Sequence, residues 1–295
     1  MTMNLAKCLI RFMLGKYRTV ADCEKAFLRI LIKVDHRDAL RFHWPKNPAS
    51  LFSPLEVWRF KVVLFGSISS PFLLAIVLDK VIAEDITNTI VRKTLQSSIY
   101  VDNLVVANNN IKINIKLYQS REVFLKRGFN LREWTSNFTQ VQELAKKDKV
   151  YNDKKKVIVL GMIWDVEQSE MSFKNLLAWD SKNTKRSVLS FTNAMFDPLN
   201  RLLPIAIMCR VIIRTLWDAN LKWDLDFTKN TELSERFATI RKQVFTALKH
   251  KYNVETQVYS NTEIQCFSDA STSAFGAVLY LLTPPCIACT NGSIK

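Results

Sequence analysis

Two short β-prone runs in this chain each stop at an aspartate, and the two aspartates lie 80 residues apart. Tyr17-Arg18-Thr19-Val20-Ala21 leads into Asp22, and Ile99-Tyr100-Val101 leads into Asp102. The second run resumes at once as Leu104–Ala107. Asp and Asn tolerate left-handed turn conformations, so the spacing predicts an apolar hairpin with Asp102 and Asn103 in its turn. A fold that carries both strand ends to one sheet edge sets two carboxylates side by side. Magnesium is usually held by one or two carboxylates plus substrate phosphates. Two such ions about 3.5–4 Å apart stabilise the attacking and leaving oxygens of an in-line displacement. Taken singly, either aspartate reads as an ordinary turn or capping residue.

The rest of the pattern is mixed. Strands are expected over Ile30–Val34, Val157–Ile163, Glu263–Ser268 and Phe275–Leu282. Arg41–Trp44 and Val57–Leu64 read as a two-stranded unit around the loop KNPASLFSPLE. A helix is predicted to start at Pro71 with Ser70 as its N-cap, and its run FLLAIVL implies burial on most faces. Another is expected from Lys112 to Arg127, closed by Gly128. Beyond residue 180 the pattern turns helical over Thr184–Ala194, Pro204–Trp217 and Thr231–Leu248. In the last of these, Leu233, Phe237, Ile240, Val244 and Leu248 form a stripe at helical spacing. The expected class is α+β, then α, then the opening of a second β-containing domain. With only six glycines in 295 residues, tight turns must rely on Asn, Asp, Ser and Pro.

Charge narrows the function classes. Forty-two Lys and Arg against 27 Asp and Glu give +15 and a pI near 9.6, which favours a polyanionic partner, nucleic acid first. The densest basic run is Lys146–Lys156, KKDKVYNDKKK, read as a solvated linker in preference to a phosphate-contact site. The longest apolar run, Pro71–Leu78, is far short of a bilayer span, so no membrane partner is expected. The opening residues carry Arg11 within their apolar stretch and no small-residue cleavage site, against a secretory signal. Six scattered cysteines fit a reducing, intracellular compartment, and Cys286-x-x-Cys289 stands without the second ligand pair that zinc sites use. His36, His43 and His250 suggest no triad. Trp134 is a candidate for base stacking, with packing an equal alternative.

The motifs Asp22-Cys23-Glu24-Lys25-Ala26-Phe27, LFGSISSPFLLA (64–75), YVDN (100–103) and VLGMIWD (159–165) resemble, in order and spacing, the palm motifs of reverse transcriptases. With GFNLREWTSN (128–137), TKRSVLSFTNAMFDPLNRLLP (184–204) and CFSDASTSAFGAVLYL (266–281), they are similar to the Pol polyprotein of Pao/BEL long-terminal-repeat retrotransposons across nearly the whole chain. The resemblance implies a reverse-transcriptase palm with partial fingers over 1–175, the fingers insertion falling at about 35–60. It implies a helical thumb or connection over 176–260 and a truncated ribonuclease H-like start over 261–295.

It also implies roles. Asp22 and Asp102 would hold two Mg2+ or Mn2+ ions, with Asn103 beside them. Phe27 would crowd a sugar 2′ position. Phe65, Gly66 and Ser67 would lie beside the incoming nucleotide and template, Tyr100 in the hairpin motif, and Leu160, Gly161 and Met162 at the primer end. Asp269 would be the first ligand of the ribonuclease H-like remnant. The implied partners are an RNA or DNA template-primer and deoxynucleoside triphosphates, and the implied location is the cytoplasm, retroelement particles or the nucleus. The pattern fixes no oligomeric state.

The sequence departs from the family where Tyr-Val-Asp-Asp is usual, with Asn103 as the fourth residue. Asparagine keeps a carbonyl oxygen but loses the charge, so an impaired polymerase is expected. Leu64 and Ser67 stand for the usual proline and leucine, a milder change. The resemblance further implies that most of the fingers and the remaining ribonuclease H-like ligands lie outside this sequence. The alternative expectation is a non-catalytic, basic nucleic-acid-binding remnant of a retroelement.

Overall fold

The computed structural model describes residues 4–50, 52–174, 182–254, 262–272 and 275–282. Cys286 and Cys289 lie outside these residues.

The first sheet has the order β4-β5-β1-β6, formed by β1 (Tyr17–Cys23), β4 (Ile99–Tyr100), β5 (Asn103–Asn108) and β6 (Leu131–Ser136). β1 lies antiparallel between β5 and β6. Side chains on a strand alternate between faces, so Ala21 and Cys23 point one way while Arg18, Val20 and Asp22 point the other. The Ala21 face, with Leu104, Val106 and Leu131, packs into a core shared with α2 (Ser70–Asp85), α3 (Thr89–Gln96), α4 (Ile111–Gln119), α5 (Arg121–Lys126) and α6 (Thr139–Lys147). Their contributions include Leu74, Leu78, Leu95, Leu117, Phe124 and Val141. Full burial of each large apolar side chain is worth about 1.5–3 kcal/mol.

The opposite face is covered by α1 (Leu5–Leu14) and a second sheet of order β10-β9-β8-β7, made of β7 (Lys156–Val159), β8 (Met162–Asp165), β9 (Glu170–Phe173) and β10 (Lys251–Asn253). Leu9, Phe12, Val105, Val157, Met162 and Trp164 fill this second core. Arg18, 1% exposed, ties the two layers: its guanidinium donates to the carbonyls of Phe12, Met13 and Val254. A third core lies among α7 (Lys185–Ala194), α8 (Leu203–Asp218) and α9 (Thr231–Leu248), whose predicted stripe of Leu233, Phe237, Ile240 and Val244 is buried while Leu248 packs at its margin.

Two ribbons remain, β2 (Arg41–Pro45) with β3 (Leu55–Arg59), and β11 (Glu263–Ala270) with β12 (Phe275–Leu282).

Several expectations change. No strand forms over 30–34. A 3-10 turn at Ala26–Arg29 and another at Val34–Leu40 flank a single bridge from Leu31 to Val62. The helix expected over 112–127 breaks at Ser120, whose Oγ donates to the Leu117 carbonyl. Its end is closed as expected, Gly128 and Phe129 donating to the carbonyls of Leu125 and Phe124 in a Schellman arrangement. α2 begins one residue early, with Ser69 at its cap, and is not buried all round: Phe72, Leu73 and Ile76 stay exposed. The strand expected over 157–163 is a hairpin, β7 and β8, turning at Leu160 and Gly161. α1, α3, α6, β6, β9 and β10 are additions to the sequence reading.

Asparagines cap α1, α3, α4 and α9, in keeping with the shortage of glycine. That shortage also leaves eight non-glycine residues at positive φ among the described residues, Val101 and Glu133 included. No helix among the described residues is long and apolar enough to cross a membrane.

Candidate functional site

The register of the first sheet brings the two aspartates together. Asp22 lies opposite Asn103 on the paired strand, and the Cys23 N–H donates to the Asp102 carbonyl at 2.8 Å. The hairpin turn falls one residue earlier than the sequence suggests: Tyr100 pairs with Asn103, so Val101 and Asp102 form the turn. Val101 takes φ +57°, a conformation that a β-branched side chain seldom adopts. This register puts Asp102 at the tip and Asn103 in the ladder.

Both carboxylates are half-buried. Burial pushes the Asp22 carboxyl above its ordinary value. Repulsion from Asp102 and then Glu133 adds to the rise, and Arg132 opposes it. The Asn103 amide donates to Asp102 Oδ1 at 2.8 Å. Between the strands, burial pushes the Cys23 thiol up to about 12, helped by the two aspartates, so it stays protonated and unreactive. Glu24, one residue further, is held below its usual range by hydrogen bonds from Asn130 and Arg132 at 3.0 and 2.6 Å.

Asp22 opens onto a cavity of about 340 Å³ between the first sheet and β7. Asn103, Glu133 and Thr135 line one wall, and Asn152, Lys154 and Lys156 the other. Glu133 owes its place to a bulge: the β1–β6 register shifts between Val20 and Asp22, and Glu133 sits there at φ +55°. The basic run is laced to the same strand, since Trp134 donates to the Val150 carbonyl and Asn152 donates to the Trp134 carbonyl, each at 2.9 Å. Part of the segment read as a solvated linker therefore forms a wall of the cavity. Glu133, Asn152 and the paired lysines were missed as site residues. The run of lysines was their one sequence signal.

Other expected residues divide. Phe27 is 6% exposed and its ring meets Phe65 edge-on at 4.9 Å, so these two motifs do touch. Phe65 is exposed, Gly66 sits beside it at φ +85°, and Ser67 Oγ lies 3.1 Å from Ser69 Oγ. Leu160 and Gly161 form the β7–β8 turn at φ +48° and +89°. A side chain on Gly161 would collide with the Phe196 ring, 2.2 Å from where its Cβ would stand. Met162 is 1% exposed in the second core, so its side chain is closed to a primer, and only the turn backbone is open to that role. Trp134 is 1% exposed, donates to the Leu131 carbonyl and packs edge-on against Tyr118, which removes it as a stacking platform. Asp269 lies on the exposed β11 ribbon, its carboxylate accepting from the Ala270 N–H. Among the described residues, no three His, Cys, Asp or Glu side chains gather as a metal cage.

The chain's mixed α/β fold is similar to the foamy viral protease-reverse transcriptase, solved in complex with an RNA/DNA hybrid. The TM-score is 0.58 at 15% identity, over 95% of this chain and 33% of that one, so this sequence spans about a third of that protein. A family model described as the Pao retrotransposon-like RNaseH-like domain matches residues 184–286. That match takes in α7 to α9 as well as the last ribbon, and the boundary expected at 261 falls inside it. No curated protein matches the chain. The structural similarity shows the fold, and the family match is to a retrotransposon-type RNaseH-like domain over residues 184–286.

Proposed function

We propose that this chain is a Pao/BEL-type Pol fragment, its first sheet the palm of an RNA-directed DNA polymerase and α7–α9 its thumb or connection. The carrying observation is the pairing of Asp22 with Asn103, which sets Asp22 and Asp102 at neighbouring strand ends, with Asp22 opening onto the cavity. Two half-buried carboxylates that repel each other suit a hard divalent cation, and substrate phosphates would complete its shell. Asp22 and Asp102 would hold Mg2+ or Mn2+, with the Asn103 amide as a neutral neighbour. Bound there, the metal would supply charge stabilisation for the attacking and leaving oxygens.

The chain's own residues then position the substrates. The β7–β8 turn at Leu160 and Gly161 supports the primer end. Lys154 and Lys156 on the far wall face a strand's phosphates. Phe27, braced by Phe65, limits the sugar that fits. Template-primer and deoxynucleoside triphosphates are the substrates in this reading, and the cytoplasm, a retroelement particle or the nucleus is the site of action.

A specific contact favours the second reading, a nucleic-acid-binding remnant without chemistry. The Asn103 amide occupies one oxygen of Asp102, and an amide carries no charge with which to neutralise a cation. Primer extension by the purified chain with Mg2+ separates the two. Weak extension, restored by Asn103→Asp, supports the polymerase reading. Binding of template-primer that weakens steeply with salt, with no extension by either form, supports the remnant.

A further inference from the structure

A basic and aromatic corner on the helical region lies apart from the carboxylate pair. The C-terminus of α8 is closed by a Schellman arrangement in which Asn220, at φ +50°, donates to the Trp217 carbonyl and Leu221 to the Leu216 carbonyl. This reversal brings Trp223 back against Trp217, with ring centroids 5.2 Å apart and planes at 88°. Lys185, at the first turn of α7, sends its ammonium into the angle between them, 4.3 Å from the Trp217 ring centre and 5.4 Å from that of Trp223. The lysine is 5% exposed, yet Trp217 is 55% exposed and Trp223 38%. The position is locked by the Arg186 N–H donating to the Trp223 carbonyl at 3.1 Å.

Each element of this corner points toward a ligand. A large indole left in water forgoes the burial that aromatic side chains usually obtain, and here two of them meet. The Lys185 ammonium faces two rings in cation–π contact, and among the described residues no carboxylate lies in salt-bridge range of it. Arg210, Arg214 and Trp217 follow at helical spacing along an exposed stripe of α8, beside the buried Cys209, Ile212 and Leu216. Lys222 and Arg186 add to the rim; Arg186 and Arg214 are themselves paired with Asp224 and Asp218, so that among the described residues Arg210 and Lys222 carry its uncompensated charge.

We infer that the Trp217–Trp223–Lys185 corner is a binding site for single-stranded nucleic acid, with an unpaired base on the Trp217 face and the adjoining phosphodiester at Lys185 and the arginine rim. Base–aromatic stacking tolerates sequence because every base has a π-face, and a basic surround tracks the backbone. A duplex offers no free base face. The chain's +15 charge favours this occupant over a protein partner.

The test uses the full chain in EDTA without nucleotides, so that failure of the polymerase reading leaves it untouched. A fluorescein-labelled 12-nucleotide oligodeoxythymidylate is titrated by anisotropy against an abasic strand of equal length. The wild-type chain should bind the thymidylate roughly tenfold more tightly than the abasic strand, since one good stack carries about that factor. Trp217→Ala should erase the difference, Trp217→Phe should keep most of it, and Lys185→Met should weaken binding to both strands. Equal affinity of the wild-type chain for the two strands overturns the inference, and this comparison needs no variant. So does an unchanged preference in a folded Trp217→Ala protein. Self-association that Trp217→Ala abolishes, with strand binding unaltered, assigns the corner to a protein contact and also overturns it.

Discussion

The four-stranded sheets and the two-stranded ribbons are built from similar sequence, and they end in different physical states. In the sheets, Trp134 and Trp164 are 1% and 0% exposed; in the β2–β3 ribbon, Trp44 and Trp58 are 49% and 52% exposed. The β11–β12 ribbon likewise leaves Ile264, Phe267, Leu279 and Tyr280 open to solvent. Hydrogen-bond pairing is continuous in both settings, eight residue pairs in β11–β12 against six in β1–β5. Among the described residues, what separates them is a covering layer. A lone hairpin is marginal in water, and a sheet becomes stable when helices or a second sheet bury its apolar face.

The largest expected effect is kinetic. Backbone amides of Val105 and Val106, at the centre of the first sheet, should exchange with solvent at least about a thousandfold more slowly than those of Phe267 and Leu279, because sheet amides open only with large-scale unfolding. Hydrogen exchange read by mass spectrometry checks this. Comparable rates would mean that the ribbons share the stability of the cores, and the contrast would fail.

Side-chain truncation sharpens the same point. Trp164 sits edge-on to Phe12 at 5.0 Å in the second core, and Trp164→Ala should cost about 3–5 kcal/mol in urea unfolding. Trp58→Ala, on the ribbon, should stay within about 0.5 kcal/mol of the parent. A penalty between these two is expected at the β7–β8 turn, where Gly161→Ala combines a left-handed backbone with a methyl driven into the Phe196 ring. About 1–3 kcal/mol is the expected loss, read from the same unfolding curves.

How much of this the sequence disclosed depended on what each signal reports. Periodicity reports faces, so the stripe of α9 and the stop at Gly128 were readable from local pattern alone. The run FLLAIVL reports only apolarity. It does not say how many neighbours α2 has, and Phe72, Leu73 and Ile76 show that one side has none among the described residues. At the candidate site, the aspartates were legible because strand ends are local, and the motif resemblance placed them in one constellation. The turn was misread by one residue. Local propensity prefers Asp and Asn at φ > 0, whereas the ladder with β1 draws Asn103 into the strand and forces Val101 into the turn. Glu133 and the lysines of the far wall were illegible because a bulge and two long-range backbone hydrogen bonds place them.

The smallest expected effect concerns the strand ends of the first sheet around Asp22, where the comparison turns inward. Asp22 and Glu24 lie two residues apart and titrate in opposite senses. Burial and neighbouring carboxylates raise Asp22, so the native state keeps that proton at a pH where the unfolded chain has lost it. Stability from this group is full below the ordinary carboxylate value and declines as pH rises through the raised one. Glu24, lowered by Asn130 and Arg132, adds stability above its unfolded value and loses it as pH falls through the lowered one. Asp22→Asn should therefore raise the melting temperature at neutral pH and steepen the acid side of its profile, since the low-pH stability of the protonated carboxyl is lost, while Glu24→Gln should lower it. Millimolar Mg2+ should raise the melting temperature of the parent and leave Asp22→Asn unmoved, because a cation that binds only the folded state stabilises it by mass action. A parent that melts alike with and without the cation, at every pH from 5 to 8, would show that these strand ends are an ordinary margin of the sheet with no site to spend stability on.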